Sequence, residues 1–423
     1  MIDIKYIREN RKIVENAIRN KKAKVDLNTL IKLDDKRKKL LFKIEKINHQ
    51  RKTLTKAETE KGKELKNNLS GLKKELNTTN RQLQKLLYQV PNIPSDDTPV
   101  GDTEKDNRIL RKLGEIPKFD FKPKPHWEIG KKLGLIDNSK AAKVAGTRFT
   151  YLKGALVTLQ FAIINFTLEI LQDKDKLAQI TETAELDVKN IPFMPILPPV
   201  MVKPEVFNEM ARLEPKEERY YIKSDDLYLV GSAEHTLGPI FKDEILEEKD
   251  LPKRFVGYST CFRREAGTYG KDTRGILRLH QFDKIEIESF VRQEDSLKEQ
   301  DFIVAIQEYL VQALGLPYQV VQMCTGDMGM PDSRQIDIEI WMPGQNKYRE
   351  THTADLMTDF QARRLNTKYK TKDGSLKFIH MNDATAFALG RTLIAIMENY
   401  QKSDGTVEIP KILQKYCSLK KIH

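Results

Sequence analysis

Apolar residues recur every seven positions along two stretches of the first ninety residues. The first stretch carries them at two heptad positions: Leu30, Leu33, Leu40, Ile44, Ile47 and Leu54. The second repeats the spacing: Leu65, Leu69, Leu72, Leu76, Leu83, Leu86 and Val90. This period predicts two helices that pack along a coiled-coil seam. We expect an antiparallel hairpin over residues 28–90 that reverses at Gly62. Because each arm of about 25 residues would span roughly 38 Å, the hairpin should protrude.

Three prolines predict where this N-terminal region ends. Pro91, Pro94 and Pro99 follow the second apolar series and cannot continue a helix, so a linker should begin there. We therefore predict an N-terminal domain over residues 1–105 and a second domain over residues 106–423.

Short runs that suit strands dominate the second domain. They lie in the segments 192–202, 227–239, 336–344, 347–356 and 377–385. The four prolines of segment 192–202 restrict it to an edge strand or an extended connection. Because hairpins join most of these runs and regular βαβ alternation is missing, we predict an α+β domain with an antiparallel sheet flanked by helices. The apolar segment 155–171 is shorter than the roughly 20 residues of a membrane span and predicts a buried helix.

One predicted hairpin carries charges on a face where a core is expected. Its runs are residues 258–265 and 278–288, joined by a loop that contains Gly267, Gly270 and Gly275. Alternation places these residues on one face: Cys261, Arg263 and Glu265 from the first run, and Phe282, Glu286 and Glu288 from the second. Ile285 and Ile287 point the opposite way. Such a face is either solvated surface or a binding platform.

The positive charge is concentrated at the N-terminus. The chain of 423 residues has a net charge of +12, and residues 1–90 hold 25 Lys and Arg against 11 Asp and Glu, a balance of +14 that leaves −2 for the remainder. This asymmetry predicts a globular body with a basic appendage that binds a polyanion, although a solvated lysine-rich helix face would give the same count.

Other features exclude several classes of protein. The first ten residues are charged and lack the apolar segment of a signal peptide, so we expect a cytoplasmic protein with no membrane contact. Cys261, Cys324 and Cys417 show no paired spacing, and neither disulfides nor zinc are expected. No glycine-rich Rossmann or P-loop motif follows a strand.

Longer motifs carry a resemblance to one family. The sequences "FRREAG" and "DTRGILRLHQFDKIE", together with "GRTLIAIMENYQ" near the C-terminus, resemble motifs 2 and 3 of bacterial-type seryl-tRNA synthetases. The segment "LPPVMV" stands where the dimer-forming motif 1 of class II synthetases is expected. The resemblance covers almost the whole chain. It implies a homodimer that uses ATP and L-serine to charge tRNA(Ser), with the basic hairpin as the tRNA-binding arm.

The resemblance assigns the ATP-binding residues. Arg263 matches the motif 2 arginine whose positive charge neutralises the α-phosphate. Adenylate formation requires such a cation. Glu265 matches the residue that meets the adenine edge, and Phe282 matches the ring on which adenine stacks. Arg391 matches the motif 3 arginine that holds the γ-phosphate. We expect Arg263, Glu265 and Arg391 to be the catalytic residues. Arg278 assists the polyphosphate or forms a structural ion pair. The expected ATP site is completed by Arg264, Leu279, Glu350, Thr351, His352 and Thr353.

Serine is small, so its recognition must use polar groups that alanine would leave unpaired. Glu234 and Glu286 match the two serine-binding carboxylates of the family, and which of them reads the ammonium and which the hydroxyl stays open. Thr385 matches the residue that contacts the substrate hydroxyl, whereas an isolated threonine at this position would be a helix cap. The expected serine site is completed by Ser232, Ala233 and Arg263.

The resemblance also implies a Mg²⁺ site and shows two departures. Glu350 and Thr353 fit the family's Glu-x-x-Ser pair of hard oxygen ligands. The sequence "ETHT" replaces the more common "EISS", so His352 either packs beside the nucleotide or acts as a general base. Asp383 and Ala384 replace Asn-Gly before Thr385, which changes the shape of the serine pocket.

Two other functions compete with tRNA charging. A synthetase-like ligase could load a carrier protein, but it would not need a basic arm with a charge of +14. A nucleic-acid-binding protein could have kept the fold without activity, but it would not need Arg263, Glu265, Glu350 and Arg391 together.

Overall fold

The computed structural model describes residues 1–53, 59–266 and 274–423. Leu54 of the predicted seam and Gly267 and Gly270 of the predicted loop lie outside these ranges. The chain divides into two compact units, Met1–Pro94 and Ser95–His423.

The helices and strands have the following bounds. The helices are α1 Ile4–Glu9, α2 Arg11–Asn20, α3 Leu27–Lys52, α4 Thr59–Leu87, α5 His126–Lys132, α6 Asn138–Val144, α7 Ala155–Gln172, α8 Lys174–Thr183, α9 Pro204–Glu209, α10 Glu234–Leu237, α11 Ser296–Ala313, α12 Phe360–Leu365, α13 Leu389–Asn399 and α14 Gln414–Cys417. The strands are β1 Arg108–Leu113, β2 Ile136–Asp137, β3 Tyr151–Leu152, β4 Met194–Ile196, β5 Met201–Val202, β6 Tyr221–Ile222, β7 Leu227–Leu229, β8 Ile245–Glu247, β9 Lys253–Phe262, β10 Gln281–Val291, β11 Tyr318–Gln322, β12 Arg334–Met342, β13 Lys347–Thr358, β14 Lys368–Lys370, β15 Leu376–Phe378, β16 His380–Ala388, β17 Val407–Glu408 and β18 Lys421–Ile422.

The first unit is built on an antiparallel pair of long helices. Ile44 and Ile47 of α3 pack against Leu69 of α4, and Lys36 Nζ lies 2.8 Å from Glu75 Oε1. Because residues later in α3 meet residues earlier in α4, the two helices run in opposite directions. The predicted turn at Gly62 is wrong, since Gly62 lies inside α4. One glycine costs a helix only about 1 kcal/mol, which the surrounding helix-forming residues outweigh.

The segment after Pro94 belongs to the second unit. Ser95 N donates to Ser333 O at 2.8 Å, and Gly326 N donates to Gly101 O at 2.9 Å. The division between the units therefore falls earlier than the predicted boundary at residue 105, because this stretch hydrogen-bonds to the body of the second unit.

The second unit is built on an eight-stranded sheet. Its strand order is β1-β11-β12-β13-β16-β10-β9-β4, and every pair is antiparallel except β4 with β9. Strand β4 comes from the proline-rich segment and lies at the edge, where the missing N–H group of Pro195 is tolerated. Helices α11 and α13 contact strands of this sheet, and their apolar side chains share one core with it. The predicted α+β architecture is confirmed.

Among the helices that the structure describes, α7 has the length and apolar character of a candidate membrane span. Its mean hydropathy is 1.5, and 56% of it is buried inside the fold. Leu156, Phe166 and Leu171 are fully buried in the main core, together with residues of α13. The apolar residues of α7 are therefore explained by core packing.

Candidate active site

A cavity of about 200 Å³ opens over the middle of the main sheet. It is lined by Arg212, Glu234, Arg263, Glu265, Ile276, Leu277, Arg278, Leu279, Phe282, Lys284, Glu350, Thr351, Thr353, Asp355, Thr385, Ala388, Gly390 and Arg391. Strands β10, β13 and β16 contribute lining residues from sequence positions that lie far apart, because these strands are adjacent in the sheet.

Arg263 is fixed where strand β9 ends. Its backbone N donates to His280 O at 3.0 Å, which extends the hairpin, and its Nε donates to Gly231 O at 3.1 Å. The guanidinium carbon lies 5.5 Å from the centre of the Phe282 ring. These contacts hold a permanent positive charge beside an aromatic face in the cavity.

Glu265 lies beyond the strand. The predicted run continued to this residue, but β9 ends at Phe262 and Glu265 has φ of 52°, which breaks the extended conformation. Arg148 Nη1 donates to Glu265 O at 3.0 Å, and Arg278 Nη1 donates to Glu265 Oε2 at 3.2 Å. Arg278 therefore makes the structural ion pair that was one of its two predicted roles, and it lines the cavity as well.

A second arginine marks another part of the cavity. Arg391, in the first turn of α13, contacts both the backbone O and the Oε1 of Glu350 at 2.9 Å. Desolvation opposes ionisation of Glu350, but the nearby charges of Arg391, Arg263 and Lys284 outweigh it and lower the pKa of this carboxyl. Glu350 is thus an anionic, hard oxygen donor beside a fixed cation.

Glu286 lies behind the cavity wall and is only 1% exposed. Ser232 Oγ donates to Glu286 Oε1 at 2.7 Å, Thr385 Oγ1 donates to the same oxygen at 3.4 Å, and Lys284 forms an ion pair with it. Burial raises the pKa of Glu286, and the Lys284 charge opposes that rise. Thr353 Oγ1 lies 3.3 Å from Thr385 Oγ1, which joins the predicted metal ligand to the predicted serine pocket.

Glu234 begins the short helix α10 and faces the cavity. Arg212 Nε lies 3.1 Å from Glu234 Oε1, and His235 Nε2 lies 3.3 Å from the same oxygen. Burial alone would favour the protonated form, but Arg212 and His235 hold the pKa of Glu234 well below its ordinary value. Burial lowers the pKa of His235 to about 4, so its ring is neutral near pH 7.

Some predicted site residues do not line this cavity. Ser232, Ala233 and Glu286 lie behind its wall and are buried. Arg264 is exposed, with its guanidinium carbon 5.6 Å from the centre of the Tyr220 ring.

His352 lies in the core of the second unit. It is fully buried, its Nδ1 lies 2.7 Å from Thr351 Oγ1, and its ring packs against Phe387 at 5.0 Å between centres. Burial lowers the pKa of His352 to about 3, so the ring is neutral near pH 7. This environment favours the packing role of the two that were considered.

Sequence reasoning missed three ionisable residues of the cavity: Lys284, Arg212 and Asp355. Lys284 stands between Phe282 and Glu286 at the strand period of two, so alternation alone places it on the same face. Arg212 follows α9 in a loop with no periodic pattern. Only the folded chain brings Arg212 to Glu234 and to Asp383.

An antiparallel sheet with an arginine beside an aromatic ring, and a second arginine at the start of a helix across the same cavity, defines the catalytic unit of a class II aminoacyl-tRNA synthetase. Residues 218–400 match the family model of the tRNA synthetase class II core domain (G, H, P, S and T), and residues 1–94 match that of the seryl-tRNA synthetase N-terminal domain.

Curated relatives extend over nearly the full chain. Serine–tRNA ligase of Pseudothermotoga lettingae is 38% identical over 435 residues and covers 98% of each chain. Serine–tRNA ligase of Wolbachia pipientis is 39% identical over 438 residues, or 99% of this chain and 98% of the relative. Among solved structures, seryl-tRNA synthetase from Pyrococcus horikoshii complexed with ATP superposes with a TM-score of 0.89 at 36% identity, covering 100% of this chain and 99% of that one.

The chain belongs to the seryl-tRNA synthetase family. It activates L-serine with ATP to seryl-adenylate and transfers the serine to the 3′ end of tRNA(Ser).

Proposed function

We propose the following roles for the cavity residues in this reaction. Adenine stacks on Phe282 with Glu265 at its edge, Arg263 neutralises the α-phosphate, and Arg391 neutralises the γ-phosphate. The observation that carries this proposal is that both arginines line the same cavity as Glu234 and Thr385. The rest of the nucleotide site consists of Arg278, Leu279, Glu350, Thr351 and Thr353, which line the cavity, with Arg264 and His352 supporting it from outside the lining.

The chemistry then needs position and charge more than a dedicated base. The serine carboxylate is already an anion, and its oxygen attacks the α-phosphorus while the bond to pyrophosphate breaks. In the second step the terminal 3′ hydroxyl of the tRNA attacks the adenylate carbonyl and AMP leaves. Arg263 and Arg391 stabilise the charge that develops on the phosphates.

The proposed serine pocket consists of Ser232, Ala233, Glu234, Arg263, Glu286 and Thr385. Its test is ATP–pyrophosphate exchange with serine, threonine, alanine and glycine. Glu234→Gln and Glu286→Gln should each lower kcat/KM for serine by about 100-fold, because a buried polar contact to a small substrate is lost. If either variant kept wild-type kcat/KM for serine, that carboxylate would not belong to the pocket. The amino-acid series also tests whether Asp383 and Ala384 have altered the preference for serine.

Mg²⁺ is assigned to Glu350 and Thr353. A carboxylate of lowered pKa and a hydroxyl, both lining the cavity, provide the hard oxygen atoms that this ion prefers. When bound together with ATP, the ion would neutralise phosphate charge during adenylate formation. Glu350→Gln should raise the Mg²⁺ concentration that half-saturates pyrophosphate exchange, whereas an unchanged Mg²⁺ dependence would remove Glu350 from this role.

The N-terminal unit is assigned to tRNA binding. Residues 1–90 carry a charge of +14, and the lysines along α3 and α4 are largely exposed. Binding of a phosphate backbone by such lysines weakens as salt rises. The KM for tRNA should therefore increase with salt while pyrophosphate exchange without tRNA stays nearly constant. Removal of residues 28–90 should abolish charging, and intact charging would contradict this assignment.

A homodimer is assigned from an exposed apolar surface. Phe161 of α7 is 54% exposed, Met194 of edge strand β4 is 62% exposed, and the adjacent Leu197 is 80% exposed. Helix α7 contacts β4, and large apolar side chains exposed on adjoining elements mark an interaction surface. Leu197→Glu should convert a dimer to a monomer in light scattering, and a wild-type monomer would refute the assignment. Because its substrates belong to protein synthesis, we place the enzyme in the cytoplasm, which fractionation of cells would test.

A further inference from the structure

A partly buried arginine outside the predicted site is surrounded by carboxyl groups. The side chain of Arg212 is 15% exposed. Besides the contact of its Nε with Glu234, its Nη2 lies 3.1 Å from Asp383 Oδ2, 3.3 Å from Asp355 Oδ2 and 3.4 Å from Asp332 Oδ1. Arg212 and Glu234 both line the cavity, so this cluster forms part of the wall where the serine pocket is assigned.

The loop that presents Arg212 is constrained. Ala211 has φ of 58°, and Arg219 Nη2 donates to Arg212 O at 2.7 Å. The guanidinium connects this loop to Asp355 on β13 and Asp383 on β16, two adjacent strands of the main sheet. Three carboxyl groups converge on Nη2 of Arg212 and a fourth lies beside its Nε, so the orientation of the guanidinium is restricted.

The carboxyl groups around Arg212 differ in charge. Burial raises the pKa of Glu288 and of Asp383 well above the ordinary value, and the nearby charge of Glu234 adds to both shifts. Glu288 is fully buried, and neither of its carboxyl oxygens has a hydrogen-bond partner in the described part of the chain. Among the described carboxyl groups around Arg212, Glu234 is the one that combines a cavity position with a pKa far below normal.

His235 supports the same orientation of Glu234. Gly231 N donates to His235 Nδ1 at 3.0 Å, so the neutral ring carries its proton on Nε2, the atom that faces Glu234 Oε1. One carboxylate oxygen of Glu234 is thus held by Arg212 and His235 together.

We propose that Arg212 is a positioning residue for the amino-acid pocket: anchored by Asp332, Asp355 and Asp383, its guanidinium holds Glu234 as an ionised carboxylate directed at the substrate. This inference rests on the assignment of Glu234 to the serine pocket. Arg212 acts on the substrate indirectly, by positioning Glu234, and it thereby determines how strongly the enzyme prefers serine.

The test removes the charge of Arg212 and follows serine binding against pH. In Arg212→Met the partly buried Glu234 loses its main neighbouring cation, so its pKa rises. The protonated carboxyl then no longer attracts the serine ammonium or accepts a hydrogen bond from serine as a carboxylate does. The other charged and titratable groups near Glu234 stay in place: His235, Arg219, Glu286, Glu288, Asp332, Asp355 and Asp383. The ratio of the serine KM of the variant to that of wild type should be about 10 at pH 6.5, and this ratio should decrease as pH rises to 8.5.

A charge-preserving variant keeps the proposal testable if Arg212→Met does not fold. Lysine retains the cation but cannot make the fork, so Arg212→Lys should raise the serine KM about threefold with a pH profile parallel to wild type. A folded Arg212→Met with an unchanged, parallel profile would overturn the proposal. An Arg212→Lys variant with the serine KM of wild type would also overturn it.

Matched controls separate this role from general stability. Arg254 forms an ion pair with Glu299, at 2.6 Å and 2.7 Å, that is more deeply buried than the Arg212–Glu234 pair and lies outside the cavity. Arg254→Lys and Arg254→Met should leave the ratio of serine KM to ATP KM unchanged. Glu234→Gln distinguishes the two hypotheses: if it leaves serine KM unaltered, the pocket assignment itself fails, whereas an effect of Glu234→Gln without any effect at Arg212 overturns only the positioning role.

Alanine as substrate adds a final readout. If Arg212→Met lowers kcat/KM for serine but not for alanine, Glu234 reads the hydroxyl. A parallel fall for both amino acids assigns Glu234 to the ammonium. Both results support positioning by Arg212, and an unchanged kcat/KM for serine and for alanine contradicts it.

Discussion

The first unit and the cavity of the second use charged residues in opposite ways. Lys36 and Glu75 of the helical pair form an ion pair whose side chains are 50% and 47% exposed. Arg212 and Glu234 in the cavity are 15% and 13% exposed. Exposed pairs contribute about 0–1 kcal/mol and are screened by salt, whereas a buried charge must be matched to named partners. The exposed charges of the first unit therefore act as a sum, and the charges of the cavity act residue by residue.

The largest expected effect tests the cavity side of this comparison. Arg263→Ala removes the cation assigned to the α-phosphate and should lower kcat/KM in ATP–pyrophosphate exchange about 1,000-fold. The variant should still bind tRNA, because the positive charge of the first unit is unchanged. Arg292→Ala removes an arginine engaged with surface carboxylates and should stay within about twofold of wild type. Equal losses for the two variants would contradict a residue-specific role.

A buried carboxylate in the first unit sharpens the contrast. Asp34 of α3 is fully buried and accepts from Arg8 at 2.7 Å and from Arg37 at 2.6 Å. Asp34→Asn should destabilise this unit by about 2 kcal/mol, measured by hydrogen exchange of α1 and α3 in the full chain. The neighbouring Asp35→Asn, which alters an exposed side chain, should cost less than about 0.5 kcal/mol.

The pH dependence of the Asp34 contribution follows from its pKa. Burial favours the protonated acid, but hydrogen bonds from Arg37 and Arg8 outweigh it and lower the pKa in the folded state. The stabilisation is therefore complete above the ordinary aspartate pKa of about 4 and is lost as pH falls below it. The difference between wild type and Asp34→Asn should shrink over that acidic range, and a constant difference would argue against an ionic contribution.

The same contrast explains how much the sequence could predict. The seam of the helical pair follows a fixed local period, and Leu40, Ile44, Leu69 and Leu83 are buried as that period requires. The hairpin face with Phe282 and Glu286 follows a period of two, and it lines or backs the cavity. Arg212 could not be predicted, because its partners lie on strands that become neighbours only in the folded sheet. The turn at Gly62 was misplaced because a single glycine in a lysine-rich and glutamate-rich helix does not end it.

A group of lysines tests the claim that charge in the first unit acts as a sum. Lys39, Lys43 and Lys46 are exposed along α3. Their joint change to Gln should weaken tRNA binding about tenfold and reduce the slope of log K against log salt by about 2–3, with pyrophosphate exchange unaffected. The matched change of Lys370, Lys372 and Lys377, exposed on the second unit, should leave the slope unchanged. If one of the α3 lysines accounted for the whole loss, the charges would be acting individually, as they do in the cavity.

The smallest effect concerns an uncharged contact in the cavity. Phe282→Leu keeps an apolar surface but removes the ring proposed to stack on adenine, so the ATP KM should rise about fivefold. Phe282→Tyr retains the ring and should remain within about twofold of wild type. Stacking does not depend on counterions, so the rise for Phe282→Leu should be the same at low and high salt, unlike the change in tRNA binding produced by the α3 lysines. A salt-dependent rise would instead mean that Phe282 acts by orienting the guanidinium of Arg263, whose carbon lies 5.5 Å from its ring centre.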